Sequence, residues 1–200
     1  MTIKLQATDA LVVADVQVDF LPGGALGVPD GDEVIPVLNR CLARFREQGL
    51  PIYVTRDWHP PNHCSFHEQG GPWPVHCVAG SPGAAFGPGF EVPPDATVIS
   101  KATRVDREAY SAFEGTHLTE RLQALGTRRL VVGGLATDYC VLNTVRDAVR
   151  QGYEVLVLRD GIRAVNVHPD DGARAEAEMQ ALGARLVNLA DLDGAGPERE

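Results

Sequence analysis

The sequence predicts a single α/β domain built on an open sheet of about six parallel strands, with helices on both faces. Short apolar runs alternate along the chain with longer segments whose apolar residues recur at helical spacing. The apolar runs are nearly continuous, which is typical of strands that helices cover on both faces. A length of 200 residues fits one domain of ordinary size.

The predicted strands and helices follow one another in regular order. Val34, Leu38 and Phe45 recur on one face of the first predicted helix, and Gly49 ends it. We expect strands at residues 10–14, 51–55, 97–100, 130–132, 154–158 and 186–188. We expect helices at residues 32–48, 118–125, 139–150 and 170–182. Residues 194–200 are expected to form a flexible tail at the end of one domain that spans residues 1–200.

The composition disfavours several classes of protein. A formal net charge of -9 argues against nucleic-acid or anionic-membrane surfaces, because phosphates are bound by clustered Lys and Arg. No run approaches the ~20 apolar residues of a membrane helix, and residues 1–9 show no secretory signal. The four cysteines share no CxxC spacing, which favours reduced thiols. We therefore expect a soluble cytoplasmic domain with no nucleic-acid or membrane partner, and a homo-oligomer is left open.

Residues 57–95 interrupt the alternation of strands and helices. This segment contains eight prolines, six glycines, four of the six histidines and both tryptophans. Loops longer than about 12–15 residues are uncommon, and most of them are functional or disordered. A disordered linker would not concentrate imidazoles and aromatic rings, so we expect an ordered loop that forms part of a functional site.

Polar residues follow four of the predicted strands. They are Asp15, Asp57 with His59, Lys101 and Cys140. In open α/β sheets, ligands bind outside the carboxyl ends of the strands, where these residues would meet. Each residue alone has an ordinary alternative, since an Asp after a strand is often a turn former and a Cys is often a small buried hydrophobe.

Cys140 has the sequence setting of a nucleophile. It follows a strand-to-helix turn in which Thr137 or Asp138 is the expected N-cap, so its thiol would lie in the first helical turn. Free N–H groups and the helix dipole favour a thiolate there, and nearby amides could stabilise an oxyanion. Lys101 is one of two lysines among 18 basic residues, and an ammonium near Asp15 and Cys140 would keep both groups reactive.

The long loop carries a candidate metal site. Asp57, His59 and His76 supply one carboxylate and two imidazoles, a set that accepts Zn, Fe or Mn. The histidines could instead lie on the surface of the loop. A structural zinc site formed by residues 63, 64, 76 and 77 is disfavoured, because adjacent side chains in extended chain point apart.

These motifs resemble those of the nicotinamidases (also pyrazinamidases) within the isochorismatase-like cysteine hydrolases. The resemblance covers about residues 10–165. It rests on Ala-Asp-Val-Gln-Val-Asp-Phe at 14–20, Thr-Arg-Asp-Trp-His-Pro at 55–60, Trp-Pro-Val-His-Cys-Val at 73–78, Lys101, Tyr-Ser-Ala-Phe at 110–113 and Gly-Leu-Ala-Thr-Asp-Tyr-Cys-Val at 134–141. The segments around the candidate metal ligands are the more specific part.

The resemblance implies a Rossmann-like, isochorismatase-like six-stranded sheet and a set of site residues. Asp15, Lys101 and Cys140 would form the catalytic triad, and the amides of Ala136 and Cys140 would form the oxyanion hole next to a cis Leu135–Ala136 peptide bond. The implied metal ligands are Asp57, His59 and His76, with His63 as an additional candidate and zinc as the favoured metal. The implied substrate-binding residues are Phe20, Leu26, Trp73 and Tyr110.

The implied activity is hydrolysis of nicotinamide to nicotinate and ammonia through a cysteine thioester, in NAD salvage, with pyrazinamide as a further substrate. One alternative is a related amidase that acts on an N-carbamoyl or ureido substrate and needs no metal. A second alternative is a non-haem iron oxygenase that uses the candidate metal ligands, although it leaves the triad unexplained. A non-catalytic member that binds a small ligand is a third.

Overall fold

A computed structural model describes residues 2–192 of the chain, and all six of its strands form one parallel sheet. The strands are β1 (Asp9–Ala14), β2 (Ile52–Asp57), β3 (Thr97–Lys101), β4 (Arg129–Leu135), β5 (Glu154–Arg163) and β6 (Arg185–Val187). Their order across the sheet is β3-β2-β1-β4-β5-β6. The predicted fold class is therefore confirmed, while the tail expected at residues 194–200 lies outside the described residues.

Four α-helices cover the two faces of the sheet. They are α1 (Val34–Glu47), α2 (Leu118–Ala124), α3 (Leu142–Arg150) and α4 (Asp171–Ala181). Leu38 of α1 belongs to the apolar core on one face, together with Leu11 of β1. The core on the other face contains Leu122 of α2, Val145 of α3 and Met179 of α4. Burial on both faces explains why the strands are apolar throughout. In residues 2–192 no helix is long and apolar enough to span a membrane.

The fifth strand is longer than the sequence predicts. The apolar run ends at Leu158, but β5 continues to Arg163. Arg159 ends the run because it points outward and pairs with Glu176, while the Asp160 carboxylate accepts a hydrogen bond from the amide of Leu189. The pairing of β5 with β4 also shifts register between Val132 and Gly134.

The strand-to-helix turn after β4 differs from the predicted capped helix. Residues Thr137–Val141 form one wide π-type turn, and α3 begins at Leu142. Neither Thr137 nor Asp138 caps this turn; the carboxylate of Asp138 instead accepts hydrogen bonds from the amides of Val165 and Asn166, both at 2.9 Å. The predicted N-cap is wrong because the amides of a distant loop compete for the same side chain.

Gly134 lies where β1 and β4 approach most closely. Its φ is +111°, and a Cβ at this position would overlap the backbone oxygen of Ala14. A glycine is therefore required where Ala14 pairs with Gly134, one residue before Asp15. This contact sets the distance between the chain segments that carry Asp15 and Cys140.

The segment between β2 and β3 is ordered, although it contains no α-helix. Two short 3₁₀ turns, His67–Gln69 and Pro82–Ala84, are its helical elements. Two side chains of the chain segment directly after β1 hold it in place. The carboxylate of Asp19 accepts a hydrogen bond from the amide of Cys77 at 2.7 Å, and the side-chain amide of Gln17 donates to Ala84 O at 3.0 Å. These contacts hold the histidines of the segment near the sheet.

Candidate active site

The carboxyl ends of β1, β3 and β4 bring together the three predicted triad residues. The ammonium nitrogen of Lys101 lies 2.9 Å from Asp15 Oδ2 and 3.5 Å from Cys140 Sγ. All three side chains are buried. One donor atom each of Asp15, Asp57 and Cys140 also lie within 4.8 Å of one another. The structure thus places an acid–base group, a cation and a thiol in direct contact.

Lys101 is held by more than the triad. Its ammonium donates to Asp57 Oδ1 at 2.5 Å and to the carbonyl of Ala109 at 3.0 Å. Burial alone would lower the pKa of Lys101, but the carboxylates of Asp15 and Asp57 outweigh it and raise that pKa. Lys101 therefore stays charged, and one ammonium joins the thiol to the candidate metal site.

Burial also shifts the other two triad residues toward their neutral forms. It raises the pKa of the Asp15 carboxyl, although the Lys101 charge and a 2.7 Å hydrogen bond from the Thr55 hydroxyl act in the opposite direction. Burial likewise raises the pKa of the Cys140 thiol well above its usual value, with Lys101 opposing. At rest Cys140 is thus a thiol, and the carboxyl beside it, with its raised pKa, is suited to accept the thiol proton.

The candidate metal ligands form a compact cluster. Asp57, His59 and His76 each offer a donor atom, and these three atoms lie within 4.8 Å of one another. The Nδ1–H groups of His59 and His76 donate to the carbonyls of His76 and Pro74, at 3.0 and 2.7 Å. Each imidazole is therefore oriented with Nε2 free to bind a metal, as metal-binding histidines usually are.

An unsatisfied buried atom supports the fit of a metal to this cluster. Nε2 of His59 is buried and has no hydrogen-bond partner among residues 2–192, which is unfavourable for a polar atom shielded from water. A divalent ion would satisfy it. Two imidazoles and one carboxylate form a donor set that Zn, Fe and Mn all accept. The cluster therefore fits a divalent metal without selecting one.

His63 lies beside this cluster rather than within it. Its ring centroid is 4.3 Å from that of His59, and both side chains are buried. Its Nδ1 is 2.7 Å from the Ser65 hydroxyl, and its Nε2 is 3.1 Å from the carbonyl of Arg107. His63 groups instead with His59 and Glu108, whose donor atoms also lie within 4.8 Å of one another.

A pocket lies between Cys140 and the candidate metal ligands Asp57 and His76. It is lined by all four predicted substrate-binding residues, Phe20, Leu26, Trp73 and Tyr110. Asp57, His76, Ala136 and Cys140 also line it. The Leu135–Ala136 peptide bond beside it is cis, as the resemblance implies. The aromatic and apolar lining of the pocket, with a few polar groups, is typical of a small-molecule site.

The pocket is also lined by three residues that were not predicted from the sequence. They are Glu108, Tyr139 and Val165. The ring of Tyr139 packs edge-on against Trp73, with centroids 5.0 Å apart, and the Trp73 indole donates a hydrogen bond to the Tyr110 hydroxyl at 2.9 Å. The position of Tyr139 directly before Cys140 was the one available signal for it.

Comparisons with known proteins agree with this geometry. The model of the Isochorismatase domain matches residues 9–191. The nicotinamidase of Escherichia coli strain K12 is 41% identical over 205 residues, covering 92% of this chain and 96% of the relative.

Two solved structures share the fold. The structure of pyrazinamidase of Pyrococcus horikoshii in complex with zinc superposes with a TM-score of 0.87 at 50% identity, covering 90% of this chain and 99% of that one. The structure of PnC1 from L. infantum in complex with nicotinate gives a TM-score of 0.89 at 37% identity, covering 96% and 99%. The family model matches residues 9–191, and the nicotinamidase relative aligns with 92% of this chain. This protein therefore belongs to the isochorismatase domain family.

Proposed function

We propose that this protein is a nicotinamidase, which hydrolyses nicotinamide to nicotinate and ammonia through a thioester on Cys140. The observation that carries the proposal is the double contact of Lys101, whose ammonium touches Cys140 Sγ and Asp57 Oδ1 from one buried position. A thiol and a metal site that share one aromatic pocket suit a heterocyclic amide. The nicotinamidase relative and the nicotinate-bound structural neighbour support this substrate class.

Acylation of the thiol is the first chemical stage. Asp15 accepts the proton of the Cys140 thiol while Lys101 balances the charge of the thiolate that forms. The sulfur bonds to the carboxamide carbon, and the C=O electron pair moves to oxygen, where the amides of Ala136 and Cys140 stabilise it. Each such donor is typically worth about 2.7–4 kcal/mol. Asp15 then returns the proton to the nitrogen, the C–N bond breaks and ammonia leaves.

Hydrolysis of the thioester is the second stage. Asp15 removes a proton from a water molecule, whose oxygen bonds to the carbonyl carbon at the same oxyanion position. The C–S bond breaks, the Cys140 thiolate is reprotonated and nicotinate is released. The raised pKa of Asp15 suits a group that alternates between base and acid in the two stages.

Asp57, His59 and His76 would hold a divalent metal at the other end of the pocket. When bound, the metal supplies a Lewis acid for the pyridine nitrogen and thereby orients the ring. Phe20, Leu26, Trp73 and Tyr110 would enclose the ring of nicotinamide or pyrazinamide. Zinc is the metal we favour, because two imidazoles and a carboxylate suit it and the pyrazinamidase neighbour was solved with zinc. Metal analysis of the purified protein, with His59→Ala as control, tests this assignment.

The alternatives account for fewer of the observed groups. An amidase for N-carbamoyl or ureido substrates does not need the Asp57 cluster, and an iron oxygenase does not need Cys140, Lys101 and Asp15. A binding protein without activity would not need the buried base beside the thiol. We also propose a cytoplasmic location, which the four free thiols favour, with no nucleic-acid or membrane partner and with a homo-oligomer left open.

Ammonia release from a panel of amides tests the proposed function directly. The purified protein is incubated with nicotinamide, pyrazinamide and an N-carbamoyl amino acid, with and without a metal chelator. We expect nicotinamide to be hydrolysed and the chelator to suppress its hydrolysis. Preferential hydrolysis of the N-carbamoyl compound, unaffected by the chelator, would favour the rival amidase.

A further inference from the structure

One acidic side chain in the pocket has no part in the proposed reaction. Glu108 Oε1 lies 3.9 Å from Nε2 of His59, the buried nitrogen that has no hydrogen-bond partner in the described part of the chain. Glu108 also lines the pocket together with Asp57 and His76. Its carboxylate thus faces the candidate metal cluster from the substrate pocket.

The three proposed ligands carry too little negative charge to balance a divalent cation. Asp57 provides the one carboxylate among the three proposed ligands, and its Oδ1 is paired with the Lys101 ammonium. The two imidazoles are neutral when they bind a metal. A divalent cation would therefore meet little uncompensated negative charge unless another carboxylate lies nearby. Glu108 is in position to supply it.

His63 is less suited than Glu108 to contact the ion. Because a carbonyl oxygen can only accept a hydrogen bond, the His63 Nε2 that faces Arg107 O must carry the proton. Its Nδ1 is then the acceptor of the Ser65 hydroxyl, at 2.7 Å. Both ring nitrogens are thus engaged, and metal binding by His63 would break one of these hydrogen bonds.

The contacts of His63 instead position Glu108. Its Nε2–H holds the carbonyl of Arg107, the residue directly before Glu108. On the other side, the carbonyl of Ala109 accepts from Lys101 at 3.0 Å, and the amide of Ala109 donates to Glu108 Oε1 at 2.9 Å. The backbone around Glu108 is therefore fixed at both ends, and its carboxylate is oriented by a third contact.

We propose that Glu108 is the fourth protein residue of the metal centre, where its carboxylate faces the ion and stabilises it, and that His63 is a positioning residue for Glu108. The proposal rests on the metal-dependent function proposed above. It concerns the affinity of the site for its metal, which is measured without substrate. Failure of this proposal is therefore distinguishable from failure of the proposed activity.

Zinc affinity of the full-length, metal-stripped protein tests the proposal. Zn²⁺ alone is titrated in competition with a chromophoric chelator for the parent protein, Glu108→Gln and Glu114→Gln. Glu114 is the matched control, because it contacts Arg107 at 3.9 Å but belongs to neither donor cluster. Groups that support metal ligands typically contribute 10–100-fold in affinity. We expect Glu108→Gln to weaken zinc binding at least tenfold and Glu114→Gln to leave it unchanged.

Two results would overturn the proposal. One is unchanged zinc affinity of Glu108→Gln while its circular dichroism and melting temperature match those of the parent. The other is a greater loss of affinity in His63→Asn than in Glu108→Gln, which would give the fourth position to His63. The absorption spectrum of the Co²⁺-loaded protein provides a second readout. We expect Glu108→Gln to change that spectrum, and a spectrum identical to that of the parent would count against the proposal.

Discussion

The ammonium of Lys101 and the carboxylate of Asp57 are 2.5 Å apart, at the paired carboxyl ends of β3 and β2. Asp57 is thereby shared between the nucleophile and the candidate metal. Because both side chains are buried, this contact is not weakened by water or salt as a surface ion pair would be. In the proposed chemistry, the Lys101 ammonium acts on both the Cys140 thiol and the neighbouring candidate metal cluster.

Replacing Lys101 by methionine should destabilise the fold as well as abolish activity. The variant leaves two buried carboxylates, Asp15 and Asp57, without their cation, and breaking a buried pair typically costs about 3–5 kcal/mol. Burial raises the pKa of Asp15, and its protonation at low pH relieves the repulsion, so the loss of unfolding free energy should grow as the pH rises. Urea unfolding at several pH values measures it. Lys4→Met, at an exposed position, is the control, and equal stability losses in both variants would contradict the explanation.

Cys140→Ala should remove turnover and leave the metal bound. Without sulfur no thioester forms, and loss of a nucleophile typically lowers kcat by at least about 10⁴-fold. Ammonia release and metal content are measured on the same preparation. Cys41→Ala is a suitable control, because Cys41 is buried in α1 and lies in the apolar core on the face that α1 covers. Residual ammonia release at the parent rate would show that the nucleophile is wrongly assigned.

Thr55→Val should shift the acid limb of the pH profile. The Thr55 hydroxyl donates to Asp15 Oδ1 and so lowers the pKa of Asp15 against the opposing effect of burial. Without the hydroxyl this pKa rises, and the base is ionised only at higher pH. A hydrogen bond to a charged group is worth about 1.5–3 kcal/mol, so we expect kcat/KM to fall off at least about one pH unit higher. Thr55→Ser keeps the donor and should restore the profile; a profile unchanged in Thr55→Val would refute the role.

Asp9→Ala should destabilise the fold far from the pocket. The Arg129 guanidinium contacts both carboxylate oxygens of Asp9, at 3.0 and 2.6 Å, and the pair is buried at the start of β1 and β4. Removing one partner leaves a buried charge and typically costs about 3–5 kcal/mol. The control is Glu33→Ala, which breaks a more exposed pair with Arg163 worth about 0–1 kcal/mol. Thermal and urea unfolding should separate the two variants, and a similar small loss in both would contradict the prediction.

The main elements of the fold could be predicted because their causes are local. Continuous apolar runs mark strands such as β1 and β4, and the spacing of Val34, Leu38 and Phe45 marks α1. The extension of β5 could not be predicted, because Arg159 and Asp160 are stabilised there by partners on α4 and near residue 189. Tertiary contacts of this kind leave no periodic signal.

Some residues of the candidate site could likewise be predicted from the sequence, and others could not. Asp15, Lys101 and Cys140 follow predicted strands, so the topology of a parallel sheet brings them together. Glu108 lies in irregular chain after β3, where no strand end or motif marks it, and only the fold shows that it faces His59. The N-cap prediction at Asp138 was wrong for a related reason, since the amides that occupy its carboxylate belong to residues 165 and 166.

The close packing at Gly134 affects how substitutions at this position would be interpreted. Any side chain at this position would push β1 and β4 apart and move the Asp15 carboxyl away from Cys140 Sγ, although both residues remain unchanged. Loss of function by substitution at this position would thus be mistaken for a chemical defect in a mutational screen. A variant that keeps the parent spectrum of its metal centre but has an unreactive Cys140 thiol would show that the loss comes from displaced strands.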